Sequence, residues 1–297
     1  NADQKLAFER ELRYTNEYLV PLLTADGYND ISEVPESVLQ GYYAKIKQNQ
    51  TDWMSNEGPI LRKGRMQQHD LSVSGRTDKL NYLISGQIYD EDGISYGSFF
   101  NRKAGTVAFD YKAKPWLKIG QNTRVAYNTG RTLRDRYNAQ NPFVAMYQYN
   151  PYESPYDFTN GYNGYNFTTQ GFNVVEAIQG NPSFYNNFYG FSTTYAELTP
   201  IKKLTVRTQL GMQYNVYQQE NFTKPGSILD VIVNGTPTGS KTDISNNRFN
   251  YVWSNTAEYK TTINTDHNLT ALVGTEFTKD NFKSYSLSST GFPAGVA

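Results

Sequence analysis

Between Leu204 and Val216 the chain reads LTVRTQLGMQYNV. This sets Leu204, Val206, Thr208, Leu210, Met212, Tyr214 and Val216 on one face of an extended strand, and Thr205, Arg207, Gln209, Gly211, Gln213 and Asn215 on the other. Such strict alternation predicts a β-strand with one apolar and one polar side. At ~3.3 Å per residue the run extends roughly 43 Å, whereas strands of soluble domains are usually about five or six residues long. Long strands that are apolar on one side only are what a membrane-crossing β-barrel needs.

The same period recurs along the chain and predicts about eight strands. Residues 67–75 carry Leu71 and Val73 on one face, and residues 80–89 set Leu80, Tyr82, Ile84 and Ile88 against Asn81, Ser85 and Gln87. Residues 105–112 alternate Val107, Phe109 and Tyr111 with Thr106, Ala108 and Asp110; residues 117–128 set Leu117, Ile119, Val125 and Tyr127 against Lys118, Asn122 and Arg124. In the less regular stretch 187–199, Tyr189, Phe191 and Tyr195 read as the apolar face, opposite Ser192, Thr194 and Ala196. Residues 247–263 place Phe249, Tyr251, Trp253, Ala257 and Tyr259 against Asn250, Ser254, Thr256, Glu258 and Lys260, and residues 268–280 place Leu269, Ala271, Val273 and Phe277 against Asn268, Thr270, Gly274 and Glu276.

The connections alternate too. GRTDK, KAKPW, TPIKK and NTDH are short, whereas the links over residues 90–102, 129–186 and 218–246 are long. Tight turns at one end and long loops at the other mark outer-membrane barrels. A soluble β-sandwich, propeller or lipocalin-like barrel, the alternatives this pattern leaves open, has no reason to segregate them. Aromatics near strand tips, Trp116, Tyr127, Tyr195, Tyr214, Tyr251 and Trp253, predict interfacial girdles. The expected fold is an all-β membrane protein, an antiparallel transmembrane β-barrel over residues 66–297.

Residues 1–65 differ. Phe8, Leu12, Thr15 and Leu19 recur at helical spacing, and Pro35 precedes Val38, Leu39, Tyr42 and Ile46 where a second helix can start. They predict a long loop with short helices, either packed as a small cap or used for binding.

Composition narrows the partners. The 28 basic and 28 acidic residues cancel, so no global field points to nucleic acid or an anionic surface. Cysteine is absent, which excludes disulfides and thiolate metal sites. No window reaches about 18 consecutive apolar residues, which excludes a transmembrane helix but not a barrel, whose alternation keeps mean hydropathy low, here -0.67. The first residues lack a signal peptide, as expected of a mature chain or one that begins partway along a longer protein.

Catalytic readings fare poorly. The only histidines, His69 and His267, stand alone, so the chain can build neither a histidine triad nor a multi-histidine metal site. Asp90 and Asp92 precede a glycine without the spacing of a calcium loop, and the glycines of GYNGYNF lack the lysine and helix of a phosphate loop. No cofactor, no metal and no enzyme activity are expected.

The run from Thr51 to Ile94 holds Thr51-Asp52-Trp53, then QHDLSVSG from Gln68 to Gly75, a short turn, and a strand ending in Asp90-Glu91-Asp92-Gly93-Ile94. It closely resembles the early barrel of SusC/RagA-type TonB-dependent transporters, and NPYESPYD (Asn150 to Asp157) and NPSFYNN (Asn181 to Asn187) are similar to further landmarks of that family. The resemblance implies a barrel of about 22 strands, of which this chain is a part. A plug domain and Ton box should precede it and more strands should follow Ala297. It also implies short periplasmic turns and outward-facing long loops in a Gram-negative outer membrane. The implied activity is import of oligosaccharides or oligopeptides, with a SusD-like surface lipoprotein as lid, the TonB complex as motor, and a dimer of transporter–lid pairs as the assembly. Classes still open beside it are a non-transporting glycan-binding adhesin barrel and a soluble β-rich carbohydrate-binding domain.

Two residue sets are expected to matter. Arg207, Gln209, Gln213 and Asn215 should line an aqueous lumen. The link from Tyr137 to Phe172 is rich in aromatics among amides and hydroxyls, and Tyr147, Tyr149, Tyr152, Tyr156, Tyr162 and Tyr165 are its candidate ligand contacts. Packing of those tyrosines into a small loop core is the competing expectation.

Overall fold

The computed structural model describes residues 1–131, 133, 141–156, 173–235, 237–264 and 266–293, the side chains of 232–234 excepted. Eight strands form one sheet: β1 (Arg65–Arg76), β2 (Leu80–Asp92), β3 (Phe99–Lys114), β4 (Leu117–Arg131), β5 (Ser183–Ile201), β6 (Leu204–Thr223), β7 (Ser240–Ile263) and β8 (His267–Thr290). They pair antiparallel in sequence order, with β1 and β8 at the edges. The strands outrun the alternating stretches that announce them: β7 and β8 have 24 residues each, against the ~9–11 that cross a bilayer. Extensions such as Ser240 to Asn246, where the one aliphatic residue, Ile244, falls on the polar side, lack an apolar face, and a period-two search cannot detect them. The link between β2 and β3 consequently shrinks to residues 93–98.

Register assigns the faces. Cross-strand partners in an antiparallel pair share a face, so the chain of partners Tyr82, Phe109, Gln121, Thr194, Leu210, Trp253 and Phe277 marks one side of the sheet. Every apolar set predicted for the other seven strands falls on this side. β5 is the correction: Tyr189, Phe191 and Tyr195 pair with Asn215, Gln213 and Gln209, so these aromatics lie on the polar face, and Gly190, Ser192, Thr194 and Ala196 on the apolar one. Tyr195 therefore leaves the predicted girdle, and Trp253, the partner of Leu210, lies mid-band instead of at a strand tip.

On the apolar side, Phe188 packs 6.2 Å from Tyr214, which packs 6.5 Å from Phe249. Tyr127 is the cross-strand partner of Phe188, so the rings make a continuous belt. From Leu204 to Tyr214 the band covers roughly 33 Å along β6, and a strand tilt of about 40° makes that roughly 25 Å, the height of a barrel's lipid-facing belt. Within the band, Gln121, Thr123, Ser192 and Thr194 bond to one another, with Gln121 Nε2 donating to Thr123 Oγ1 at 2.6 Å and to Ser192 Oγ at 2.8 Å. Polar groups in hydrocarbon must be satisfied internally, and these are.

All long connections gather at one end of the sheet. The amino-terminal segment forms α1 (Ala2–Glu11), α2 (Leu19–Ala25) and α3 (Glu36–Lys47); the β4–β5 link contributes α4 (Pro142–Gln148) and α5 (Val174–Gly180); the β6–β7 link contributes α6 (Ile228–Asn234). Two small cores hold them. Leu6, Leu19, Leu23, Leu39, Tyr42 and Ile46 surround Tyr152, which reaches in from the β4–β5 link. Trp53, Ile60, Tyr149, Val174, Ile178 and Leu229 form the second, drawn from three separate stretches of chain. The amino-terminal segment is thus a cap packed on loops.

Candidate functional site

Among the described residues no group of three or more His, Cys, Asp or Glu side chains is arranged to hold a metal. The two candidate surfaces are the loop tyrosines and the polar face.

The loop tyrosines separate by burial. Tyr152 is 1% exposed and its hydroxyl donates to Glu9 Oε1 at 2.9 Å, while Asn16 Nδ2 donates to Glu9 Oε2 at 2.8 Å. Burial and the nearby Glu9 push the Tyr152 phenol well above its ordinary pKa, so it stays a donor. Tyr149 is also buried; it stacks on Trp53 with ring centroids 4.4 Å apart, and its hydroxyl accepts from Val174 N at 2.9 Å. Both rings are spent on the loop core, where they anchor the connections that rise off the sheet. Tyr147 is exposed, and Tyr156 is partly exposed, its hydroxyl accepting from Gln179 Nε2 at 3.3 Å. Tyr162 and Tyr165 lie outside the described residues.

The sequence landmarks prove to be the brackets of this assembly. Trp53 Nε1 donates to Asn150 O at 2.9 Å, which joins the TDW segment to NPYESPYD. Asn181 Oδ1 accepts from Lys224 N at 2.8 Å and ties NPSFYNN to the β6–β7 link. Arg62 donates to Gly93 O and Ser98 O, each at 2.9 Å, and fixes the turn that follows Asp92. Buried Asp230 closes the β6–β7 link by accepting from Gly226 N and Gly239 N. Glu176 accepts from Ile228 N at 3.2 Å, and burial raises its carboxyl pKa.

The polar face is built around β5. Arg207, Gln209, Gln213 and Asn215 fall on it. Asn215 Nδ2 donates to Asn187 Oδ1 at 2.8 Å, and Arg207 donates to Gln209 Oε1 at 2.9 Å. Tyr195 is its hub: the hydroxyl donates to Asp110, and the Arg207 guanidinium sits 4.0 Å from the ring centroid. The ring lies across the partner strand at Gly120, where an added Cβ would come within 2.4 Å of it; Tyr185 covers Gly130 in the same way. A larger residue at either place would have to push the tyrosine ring aside. Depressions of about 680 Å³ and 470 Å³ open on this face, the first lined by Asp110, Asn122, Tyr195 and Arg207, the second by Phe191, Gly211, Gln213 and Arg248. Sequence reasoning missed the β5 aromatics as members of this surface, since hydrophobicity alone sent them to the other.

A one-sided antiparallel sheet, with an aromatic belt, tight turns at one end and helical loops at the other, defines a stretch of membrane β-barrel wall. No protein-family model matches the chain. A curated relative, "TonB-dependent receptor P26" of Formosa agariphila, is 21% identical over 71% of this chain and 21% of its own length. Among solved structures, the RagAB peptide importer in its "open-open" state matches with TM-score 0.72 and 23% identity, over 99% of this chain and 33% of that one. Its "closed-closed" state gives TM-score 0.71 and 21% identity over 98% and 33%. This chain therefore spans about a fifth to a third of the proteins it matches. The chain thus has the fold of a stretch of the barrel wall of these importers.

Proposed function

We propose that the chain is part of a TonB-dependent active transporter of the outer membrane that imports oligosaccharides or oligopeptides beneath a SusD-like lipoprotein lid. The observation that carries this reading is the one-sided sheet with all its long connections gathered at one end, in the fold of a solved peptide importer. On this reading the apolar face meets lipid and the polar face lines the lumen. The tight turns are periplasmic, and the cap with its loops is extracellular. Tyr147 and Tyr156, with Tyr162 and Tyr165, stay candidate ligand contacts on the outer loops. The plug and the remaining strands lie outside these residues. The chain does no covalent chemistry; the work is binding, and release driven through the TonB complex.

The test is purification of the intact complex from outer membranes, with mass spectrometry of co-purified protein and ligand, and uptake assays with and without TonB. A surface lipoprotein and a glycan or peptide should co-purify, and uptake should stop without TonB. Recovery of the intact protein as a soluble monomer without detergent would contradict the proposal.

A further inference from the structure

We propose that Phe191, Arg124 and Gln213 form a ligand-contact step on the polar face, for oligomers that carry a carboxylate beside a flat apolar surface. The inference rests on the transporter reading and deepens it by naming a ligand chemistry and a place inside the wall.

Three observations converge. Phe191 is 37% exposed in the middle of a face lined mainly by amides, hydroxyls and charges. Its direct partners at the same level are Arg124 on β4 and Gln213 on β6, so ring, guanidinium and amide stand side by side. Tyr189 follows on the same face.

The charge pattern singles out Arg124. Three cations of the face are neutralised within the wall: Lys118 by Asp110 at 3.6 Å, Arg207 by Glu197 at 3.5 Å, and Arg248 by Asp280 at 2.6 Å. Arg76 and Lys112 have no such partner but stand at the strand ends beside the tight turns, whereas Arg124 stands in the strand interior. Arg102 stacks over Tyr89. Among the described residues, the side chains of Arg124 and Gln213 have neither a hydrogen-bond nor an ion-pair partner.

There is also room. Beside Phe191 the 470 Å³ depression is floored by Thr193 and Gly211, and a Cβ built on Gly211 would meet nothing nearer than 3.8 Å. A guanidinium fork takes a carboxylate through two parallel hydrogen bonds, a ring stacks on an apolar face, and an amide serves a hydroxyl or a peptide group. Acidic peptides and uronate oligosaccharides both present this chemistry.

The experiment is equilibrium binding by the full-length transporter in detergent. The probes are an end-blocked peptide containing Phe-Glu with its Phe-Gln counterpart, and trigalacturonate with the neutral galactose trimer. The wild type should prefer at least one acid over its neutral partner, and the preferred pair names the source. Arg124→Gln should weaken that acid about tenfold and leave the neutral probe unchanged, and Phe191→Ala should weaken both. A wild type with no acid preference overturns the proposal. So does equal loss of acid and neutral binding in Arg124→Gln, which would assign the group to contacts with the rest of the protein. TonB-dependent uptake of the co-purified ligand tests the transporter reading separately: uptake without acid preference sinks this inference alone.

Discussion

Leu210→Arg in the intact protein should cost about 2 to 4 kcal/mol of barrel stability, the range for a cation near the middle of the lipid-facing belt, while Gln209→Arg one position away should be far milder. Leu210 lies between Thr194 and Trp253 on the apolar side, well below the belt of Tyr214 and Phe249, so a guanidinium there has no water within easy reach. Gln209 lies on the opposite side between Tyr195 and Ser254, and already accepts a hydrogen bond from Arg207. A second arginine there would lean into a wet surface. Urea unfolding of the two variants in lipid vesicles measures the difference, and equal losses would show that the two faces do not meet different solvents.

Tyr152→Ala should release the amino-terminal cap while leaving the sheet intact. The ring fills the core between α1, α2 and α3, and removing a fully buried aromatic costs about 3 to 5 kcal/mol. It also removes one of the two uncharged donors on buried Glu9. Because the cap touches the remainder largely through this residue and its neighbours, the loss should appear locally. Hydrogen exchange over residues 1–47 should accelerate, with the strands unchanged. Tyr152→Phe keeps the ring and should cost only the hydrogen bond, about 1 to 3 kcal/mol. Unchanged protection of residues 1–47 in Tyr152→Ala would mean that the cap is held by something else.

Most of the sheet was legible because its faces meet solvents of opposite kind, which forces alternation on seven of the strands. β5 was not, because it carries rings on both sides: Phe184 and Phe188 on the apolar face, and Tyr185, Tyr189, Phe191 and Tyr195 on the polar one. Its apolar side at mid-height is Gly190, Ser192, Thr194 and Ala196, whose hydroxyls are satisfied by Gln121 and Thr123 from the next strand. Period alone cannot see a hydrogen bond between strands far apart in sequence; only register can. The burial of Tyr149 and Tyr152 was illegible for a related reason. A tyrosine that stacks on a ligand and one that anchors a loop look alike in sequence, and Tyr149 and Tyr152 are anchors because Trp53 and Glu9, about a hundred residues or more earlier, are there to receive them.

The central claim is that this sheet separates lipid from a water-filled lumen, and β5 tests it most directly, because hydrophobicity and register there give opposite answers. Spin labels on single cysteines at positions 191, 194, 209 and 210 of the intact protein in bilayers should divide into two pairs. Labels at Thr194 and Leu210 should relax with dissolved oxygen, and those at Phe191 and Gln209 with a water-soluble nickel chelate. An oxygen-dominated label at Phe191 together with a nickel-dominated one at Thr194 would contradict the account.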